Sequence, residues 1–344
     1  MAQNLSVEEK LALITRGTQE IVGEEELAAI LKDRSLKVYI GTAVTGRPHV
    51  GYFVWVMKLA DFLNAGCEVT ILLADLHAML DDLKTPFELL EDRVAYYKFI
   101  VTAMLESVGA DVTRLKFIKG SDYQLEKNYT LDMYKLAATA SLNDAKRAAA
   151  EVVRFGNNPR LGGFIYPIMQ ALDEEYLGVD AQYGGVDQRK ILMFAREHLP
   201  KLGYKQRIEI MTPMVPGLQG AKMSASDPNS KIDVLDDAET VKKKLNKAQC
   251  TEGIVEDNGV LAFCEFVIFP FLNSKKREFV IERPEKFGGN VQYTTFELLR
   301  DAFAQKHVHP LDLKNAVANS INELLDPVRA ASKDKDELIA RAYP

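Results

Sequence analysis

Cysteine, long apolar runs and an excess of positive charge are what this sequence has little of. Cys67, Cys250 and Cys264 are the three cysteines in 344 residues. Their odd number and wide separation exclude a disulfide framework and the paired spacing of thiolate metal or redox sites, so they read as inert thiols of a reducing compartment. No run of roughly eighteen apolar residues occurs, which excludes a transmembrane helix. Met1 to Val22 has no basic leader followed by an apolar block and reads instead as an amphipathic helix carrying Leu5, Leu11, Leu13, Ile14 and Ile21, opened by a Ser6–Glu9 capping box. A cytoplasmic location follows as the expectation. Lys plus Arg number 43 against 49 Asp plus Glu, a formal charge of −6, so no global basic field advertises a nucleic-acid partner and local patches would have to hold one.

What is present is an ordinary packed composition, 47% apolar and 27% charged, long enough at roughly 150 residues per domain for two domains. From Leu36 onward short apolar runs alternate with helical periods, the pattern of a parallel sheet wrapped by helices. Strands are predicted at Lys37–Gly41, Glu68–Ala74, Leu115–Ile118, Val179–Gln182 and Ile208–Met211. The second is apolar on both faces and therefore central. Helices are predicted over Val50–Asn64, over Pro86 to about Gly109 with Thr85 as N-cap, and over Gln188–His198. Asp122 to Gly156 is Ala-rich without strand signals and reads as a helical insertion between two halves of the sheet. Thr212 to Asp233 is a long loop rich in Pro, Gly and Ser. Beyond it come predicted helices at Val241–Gln249, Val260–Leu272, Thr294–Lys306 and Asp312–Ala331 and a strand at Glu278–Glu282, with a domain boundary near Asp233.

Three segments carry chemistry. The first strand runs into Thr42 to Gly51, a turn-rich loop opening a helix where a nucleotide phosphate would sit. The loop contains neither a dinucleotide fingerprint nor a P-loop, and offers one imidazole, His49. Lys222-Met223-Ser224-Ala225-Ser226 brings a lysine and two hydroxyls suited to a leaving pyrophosphate. Tyr166, Gln170 and Asp173 recur at i, i+4 and i+7, gathering a phenol, an amide and a carboxylate on one helical face. The first two segments together resemble the HIGH and KMSKS signatures of class I aminoacyl-tRNA synthetases. Tyr166 to Leu177, followed by Val179 to Lys190, resembles the tyrosyl-tRNA synthetases of the archaeal and eukaryotic cytosolic branch, over nearly the whole chain from Lys37 through Asp326.

The resemblance implies a Rossmann-type α/β catalytic domain over residues 1–233 with a helical insertion at about 122–163, and a mostly helical anticodon-binding domain over 234–344. It implies tyrosine activation by ATP with Mg²⁺, transfer of tyrosine to the 3′ end of tRNA(Tyr), and a homodimer with no membrane association. By motif, Asp173 and Tyr39 would bond the substrate's phenolic hydroxyl and Tyr166, Gln170 and Gln188 its α-ammonium. Gly41, Thr42, His49, Gly51, Lys222 and Met223 would hold ATP, and His49, Lys222, Ser224 and Ser226 would serve catalysis. Phe287 would stack on an anticodon base while His309 and Asp312 read base edges, although Phe287 beside a Gly-Gly pair could equally be a core anchor. Lysine and arginine clusters at 242–244, 275–277 and 146–147 could meet tRNA phosphates or simply face solvent.

Two positions depart from the family pattern. Tyr52 stands where the second histidine of HIGH would be, and Ala225 where the second lysine of KMSKS would be. Mg²⁺, Lys231 or a monovalent cation near Ala225 would then balance the pyrophosphate charge. Rival expectations are a tryptophanyl-tRNA synthetase, a nucleotidyltransferase with a related loop, and a noncatalytic tRNA-binding or signalling descendant. Glu91-Asp92-Arg93 occupies the place of a Glu-Leu-Arg signalling motif found in some vertebrate relatives, and that activity is not inferred.

Overall fold

The structure is a computed structural model that describes residues 5–81, 85–153, 155–218 and 231–344. The chain opens with α1 (Val7–Thr15), where Ser6 and Glu9 form the reciprocal capping box expected of them. The predicted N-terminal helix does not reach Ile21. It stops at Thr15, and Ile21 lies in a short strand β1 (Glu20–Val22), because residues 20–22 gain more by pairing antiparallel with β6 (Ile208–Thr212). After α2 (Glu24–Asp33) come β2 (Lys37–Thr42), α3 (Phe53–Asn64), β3 (Glu68–Leu73), α4 (Asp75–Leu80), α5 (Leu90–Ser107) and β4 (Leu115–Lys119). Three short helices of the insertion follow, α6 (Ser121–Gln124), α7 (Lys127–Thr139) and α8 (Leu142–Ala149), and then α9 (Gly162–Tyr176), β5 (Ala181–Gly185), α10 (Arg189–His198) and β6.

The sheet order is β1-β6-β5-β2-β3-β4, parallel except for β1. β3 is buried along nearly its whole length, as expected of a strand covered on both faces. The order reverses between β5 and β2, and in a doubly wound sheet the crevice at the carboxyl ends of the strands beside such a reversal is where ligands bind. The loops leaving β2 and β5 both open there.

Two further local expectations differ from what is observed. The strand placed at 179–182 runs from Ala181 instead, since the Asp180 carboxylate is occupied with Arg34 and the Lys37 amide. Thr85 does not cap α5. Its hydroxyl is buried and donates to the Val44 carbonyl at 2.9 Å, fastening the loop after β2, while a 3₁₀ turn at Phe87–Leu89 leads into the helix.

The C-terminal region comprises α11 (Ala238–Asn246), α12 (Gly259–Phe263), a π turn at Cys264–Ile268, α13 (Phe269–Ser274), the hairpin β7 (Phe279–Ile281) and β8 (Val291–Tyr293), α14 (Phe296–Ala304), α15 (Pro310–Ala331) and α16 (Asp336–Ala342). One apolar core runs from Ile14 through the sheet to Leu324, Val328 and Ala342, and a second beneath the insertion joins Tyr129, Leu136, Ile168, Leu172, Ile191 and Phe194.

Candidate active site

A cavity of about 410 Å³ lies at the strand-order reversal. Its wall includes all five residues singled out for tyrosine, Tyr39, Tyr166, Gln170, Asp173 and Gln188, together with Gly41 and Thr42. Three consecutive turns of α9 supply Tyr166, Gln170 and Asp173, as the i, i+4, i+7 spacing demands. Tyr39 reaches the cavity from β2 and donates to the Gln170 carbonyl at 3.3 Å. Gln170 Nε2 donates to Gln188 Oε1 at 3.2 Å, so the two amides form one polar unit. Gly184 and Gly185 end β5 here, where an added side chain would press on Asp187 and Gln188. A Cβ at Gly185 would lie 2.5 Å from Asp187 Oδ1, and one at Gly184 would lie 3.1 Å from Gln188 Cγ.

Asp173 is fully buried, and its two oxygens differ. Oδ1 accepts from Tyr123 Oη at 2.7 Å, Gln124 Nε2 at 2.8 Å and Tyr129 Oη at 2.9 Å. Oδ2 has no hydrogen-bond partner. Burial raises the carboxyl to about 7 against the lowering effect of those three donors. His77 lies 3.8 Å from Oδ2 through Nε2 and sets its ring edge-to-face on Tyr166, centroids 4.7 Å apart. Burial lowers His77 to about 4, so it is neutral at pH 7, and neither ring nitrogen has a hydrogen-bond partner. Tyr123, Gln124, Tyr129 and His77 were not singled out from the sequence. The dense tyrosines of the insertion were the available signal, but nothing in their spacing aims them at a carboxylate some forty residues on.

A second cavity, of about 280 Å³, adjoins the first through Ile40, Tyr52, Trp55, Tyr183, Gly185 and Asp187, and contains His49 and Gly51. His49 caps the 3₁₀ turn Val50–Tyr52, its Nδ1 accepting from the Gly51 amide at 3.2 Å, which leaves Nε2 as the nitrogen available for a donor role. Burial, with Lys231 adding like charge, lowers His49 to about 4. Tyr52 lies edge-on to the His49 ring, and its hydroxyl is 3.2 Å from that of Tyr97, which donates to the Gly46 carbonyl at 2.5 Å. Arg93, one turn earlier on α5, donates to the Thr45 carbonyl at 2.6 Å. α5 thus grips two successive carbonyls of the loop that follows β2. The returning chain is stitched to the same loop by Val50 on Ile232, Val234 on Pro48 and the Lys231 ammonium on the Arg47 carbonyl at 3.0 Å. Lys222, Met223, Ser224, Ala225 and Ser226 lie outside the described residues.

Phe287, His309 and Asp312 line neither cavity. Phe287 is 62% exposed, which removes the alternative of a core anchor. His309 caps α15 with Nδ1 accepting from Leu311, and Asp312 sits in the first turn of that helix. Arg283 draws the two turns together, donating to the Gly289 carbonyl at 2.6 Å and to the His307 carbonyl at 3.2 Å. Within the basic clusters, Lys244 pairs with Asp236, Lys275 and Arg277 with Glu323, and Arg147 with Asp144.

The family profile described as tRNA synthetases class I (W and Y) matches residues 31–326. The chain belongs to that family. Among sequences it is 58% identical to the cytoplasmic tyrosine–tRNA ligase of Gallus gallus, over 98% of this chain and 64% of that one. It is 52% identical to the cytoplasmic tyrosine–tRNA ligase of Saccharomyces cerevisiae, over all of this chain and 90% of the other. Among solved structures, the tyrosyl-tRNA synthetase of Archaeoglobus fulgidus, complexed with L-tyrosine, superposes with a TM-score of 0.88 at 43% identity, covering 95% of this chain and 99% of that one. The chain spans just under two thirds of the length of the vertebrate relatives it matches. As a class I synthetase it has the α/β Rossmann-type fold expected from its sequence, with helical parts. No helix among the described residues is long and apolar enough to cross a membrane.

Proposed function

We propose that this class I synthetase is a cytoplasmic tyrosine–tRNA ligase that condenses L-tyrosine with ATP and passes the tyrosyl group to the 3′ end of tRNA(Tyr). The observation that carries the reading is Asp173, fully buried in the first cavity with Oδ1 saturated and Oδ2 lacking a partner. An acceptor held in that state is satisfied by a phenolic hydroxyl and left unpaired by phenylalanine. The names of the relatives and the tyrosine bound in the Archaeoglobus protein point the same way.

In this reading Asp173 and Tyr39 receive the phenol end of the substrate, and Tyr166 with the Gln170–Gln188 pair holds its ammonium. Its carboxylate is then directed at the α-phosphate of an ATP seated over Gly41, Thr42, His49 and Gly51. The carboxylate attacks in line, an acyl–phosphate bond forms, and pyrophosphate leaves. No side chain need take a proton in that step. His49 Nε2, neutral, donates to phosphate oxygens, and Lys222, Met223, Ser224 and Ser226 meet the leaving group, so rate enhancement comes from alignment and fixed donors. Mg²⁺ enters with ATP as part of that substrate. Lys231, already fastened to the nucleotide loop, offers charge that Ala225 does not, and a monovalent cation near Ala225 is the other source. Residues 1–233 form the catalytic part, with the insertion at about 122–163. Residues 234–344 form the anticodon-binding part, using Phe287, His309 and Asp312. Leu125, Leu131, Tyr134, Leu142 and Leu161, exposed apolar residues in or beside the insertion, suit a homodimer contact.

The test is amino-acid-dependent ATP–pyrophosphate exchange without tRNA, run in parallel with tyrosine, tryptophan and phenylalanine. Exchange with tyrosine alone is expected. Exchange with tryptophan would transfer the assignment to the other branch of the family, and none at all from a protein that binds tyrosine would favour a noncatalytic descendant.

A further inference from the structure

The layer between α9 and the sheet holds acidic groups that the proposed reaction does not use. Glu174, next to Asp173 on α9, and Glu209 on β6 are both fully buried, and neither oxygen of either carboxyl has a hydrogen-bond partner. Sheet register sets Glu209 opposite Gln182 on β5, and Gln182 opposite Tyr39 on β2. Side chains directly opposite in register leave the sheet on the same face, about 4.8 Å apart. Glu209, Gln182 and Tyr39 therefore form one row that ends in the amino-acid cavity, whose wall includes both Gln182 and Tyr39. Gln182 Oε1 is buried and receives no donor. Glu209 and Gln182 are thus neighbouring acceptors without a donor, while Tyr39 gives its own proton to Gln170.

Charge from the neighbouring elements narrows what can supply that donor. Arg196 of α10 and Arg207 before β6 both act on Glu174 and Glu209, and Asp173 adds like charge to Glu174. The guanidiniums bond elsewhere: Arg196 with the Arg207 carbonyl and Gln206, and Arg207 with Glu175 at 2.7 Å and the Lys205 carbonyl at 2.6 Å. Arg207 Nε, also buried, has no partner. Two guanidiniums facing the pair disfavour a bound metal cation there, whereas one proton turns an acceptor into a donor. Burial pushes Glu174 up to about 8 and Glu209 well above the carboxylate range, with Glu174 raising Glu209 further.

We propose that Glu209 is a positioning residue of the amino-acid cavity, holding a proton that it donates in a hydrogen bond to Gln182 Oε1, which fixes that amide beside Tyr39. The inference rests on the tyrosine-activation reading and adds to it a residue that never touches substrate. As pH rises and that proton is lost, the donor disappears and tyrosine binding weakens, while the phosphate chemistry in the neighbouring cavity is unaffected.

The experiment is ATP–pyrophosphate exchange by the full chain, wild type against Glu209→Leu and Glu209→Gln, between pH 6.5 and 9. Glu209→Leu is expected to raise the tyrosine KM about tenfold, with kcat and the ATP KM within about twofold. Glu209→Gln keeps an N–H donor, so it should bring the tyrosine KM back near the wild-type value and remove its alkaline rise. Equal increases in both variants, parallel losses in kcat and ATP KM, or an alkaline rise that persists in Glu209→Gln would overturn the proposal. Thermal melts identify a leucine variant that has merely unfolded, in which case the pH profile of Glu209→Gln decides. Wild type that exchanges with tryptophan, or not at all, defeats the tyrosine reading. Wild type that exchanges with tyrosine while both variants leave its KM unchanged defeats only the role of Glu209.

Discussion

In the proposed reading, the amino-acid cavity and the Phe287–His309 surface would solve recognition in opposite ways. In the cavity Tyr39 and Asp173 are buried, Tyr166, Gln170 and Gln188 are half-buried, and most are already bonded to the protein, with Asp173 Oδ1 alone taking three donors. At the surface Phe287 is mostly exposed and is steadied only by its neighbours, with the Lys286 ammonium 5.0 Å from its ring centroid and Arg283 bridging the two turns behind it. A buried, pre-bonded acceptor makes the wrong ligand costly, because an unpaired polar group away from water loses its full hydration. An exposed ring gains what stacking gives and penalises little. The contrast predicts stringent selection in the cavity and affinity without large discrimination at the surface.

Replacing Asp173 by Ala is the strongest way to break that contrast. Tyrosine-over-phenylalanine selectivity, measured as the ratio of kcat/KM in pyrophosphate exchange, should fall by about a hundredfold or more, the loss of a charge-assisted bond in a dry site. Unchanged selectivity would remove Asp173 from the pocket. Next in size, Lys222→Ala should lower the exchange kcat by about a hundredfold while the tyrosine KM holds, the signature of an interaction made only in the transition state. Phe287→Ala should cost about tenfold in kcat/KM for tRNA charging and nothing in exchange, the worth of one stacked base. Loss of exchange in that variant would mean that the turn supports the fold.

A separate effect concerns acid stability. His49 and His77 are both held near 4, below the ordinary value of 6.5, so the unfolded chain binds protons there that the folded chain refuses. Each therefore costs stability progressively as pH falls from 6.5 to about 4, on the order of 3 kcal/mol per group once complete. Denaturant melts of His77→Phe should show a shallower acid loss over that window than wild type. A slope identical to wild type would mean that His77 charges in the folded state.

The strands with continuous apolar runs and the helices between β4 and β5 were legible in the sequence, since each is encoded by neighbours in the chain. The cavity-lining set on α9 could be read because helical periodicity alone puts residues 166, 170 and 173 on one face. What surrounds them could not. Tyr123 and Tyr129 reach Asp173 across the insertion, Arg283 joins turns separated by a whole helix, and Glu209 meets Gln182 only through sheet register. β1 escaped notice for a related reason: three residues carry too little pattern to be distinguished from the end of a helix, and only their partner strand makes them a strand. Thr85 likewise has the right neighbours for a cap and spends its hydroxyl on Val44.

That small strand has a consequence for the molecule in solution. A parallel sheet ending at β6 would present a row of unpaired amides and carbonyls to any other chain, next to the fully buried run Ile208–Thr212. By laying residues 20–22 along it, the N-terminal segment occupies the position an aggregating neighbour would take. The opposite border, β4, relies on charge, with exposed Lys116 salt-bridged to Glu68 and Lys119 to Glu91. One border is plugged and the other repels. A chain trimmed of its first two dozen residues would keep every group of both cavities and still be the form most prone to precipitate as it folds.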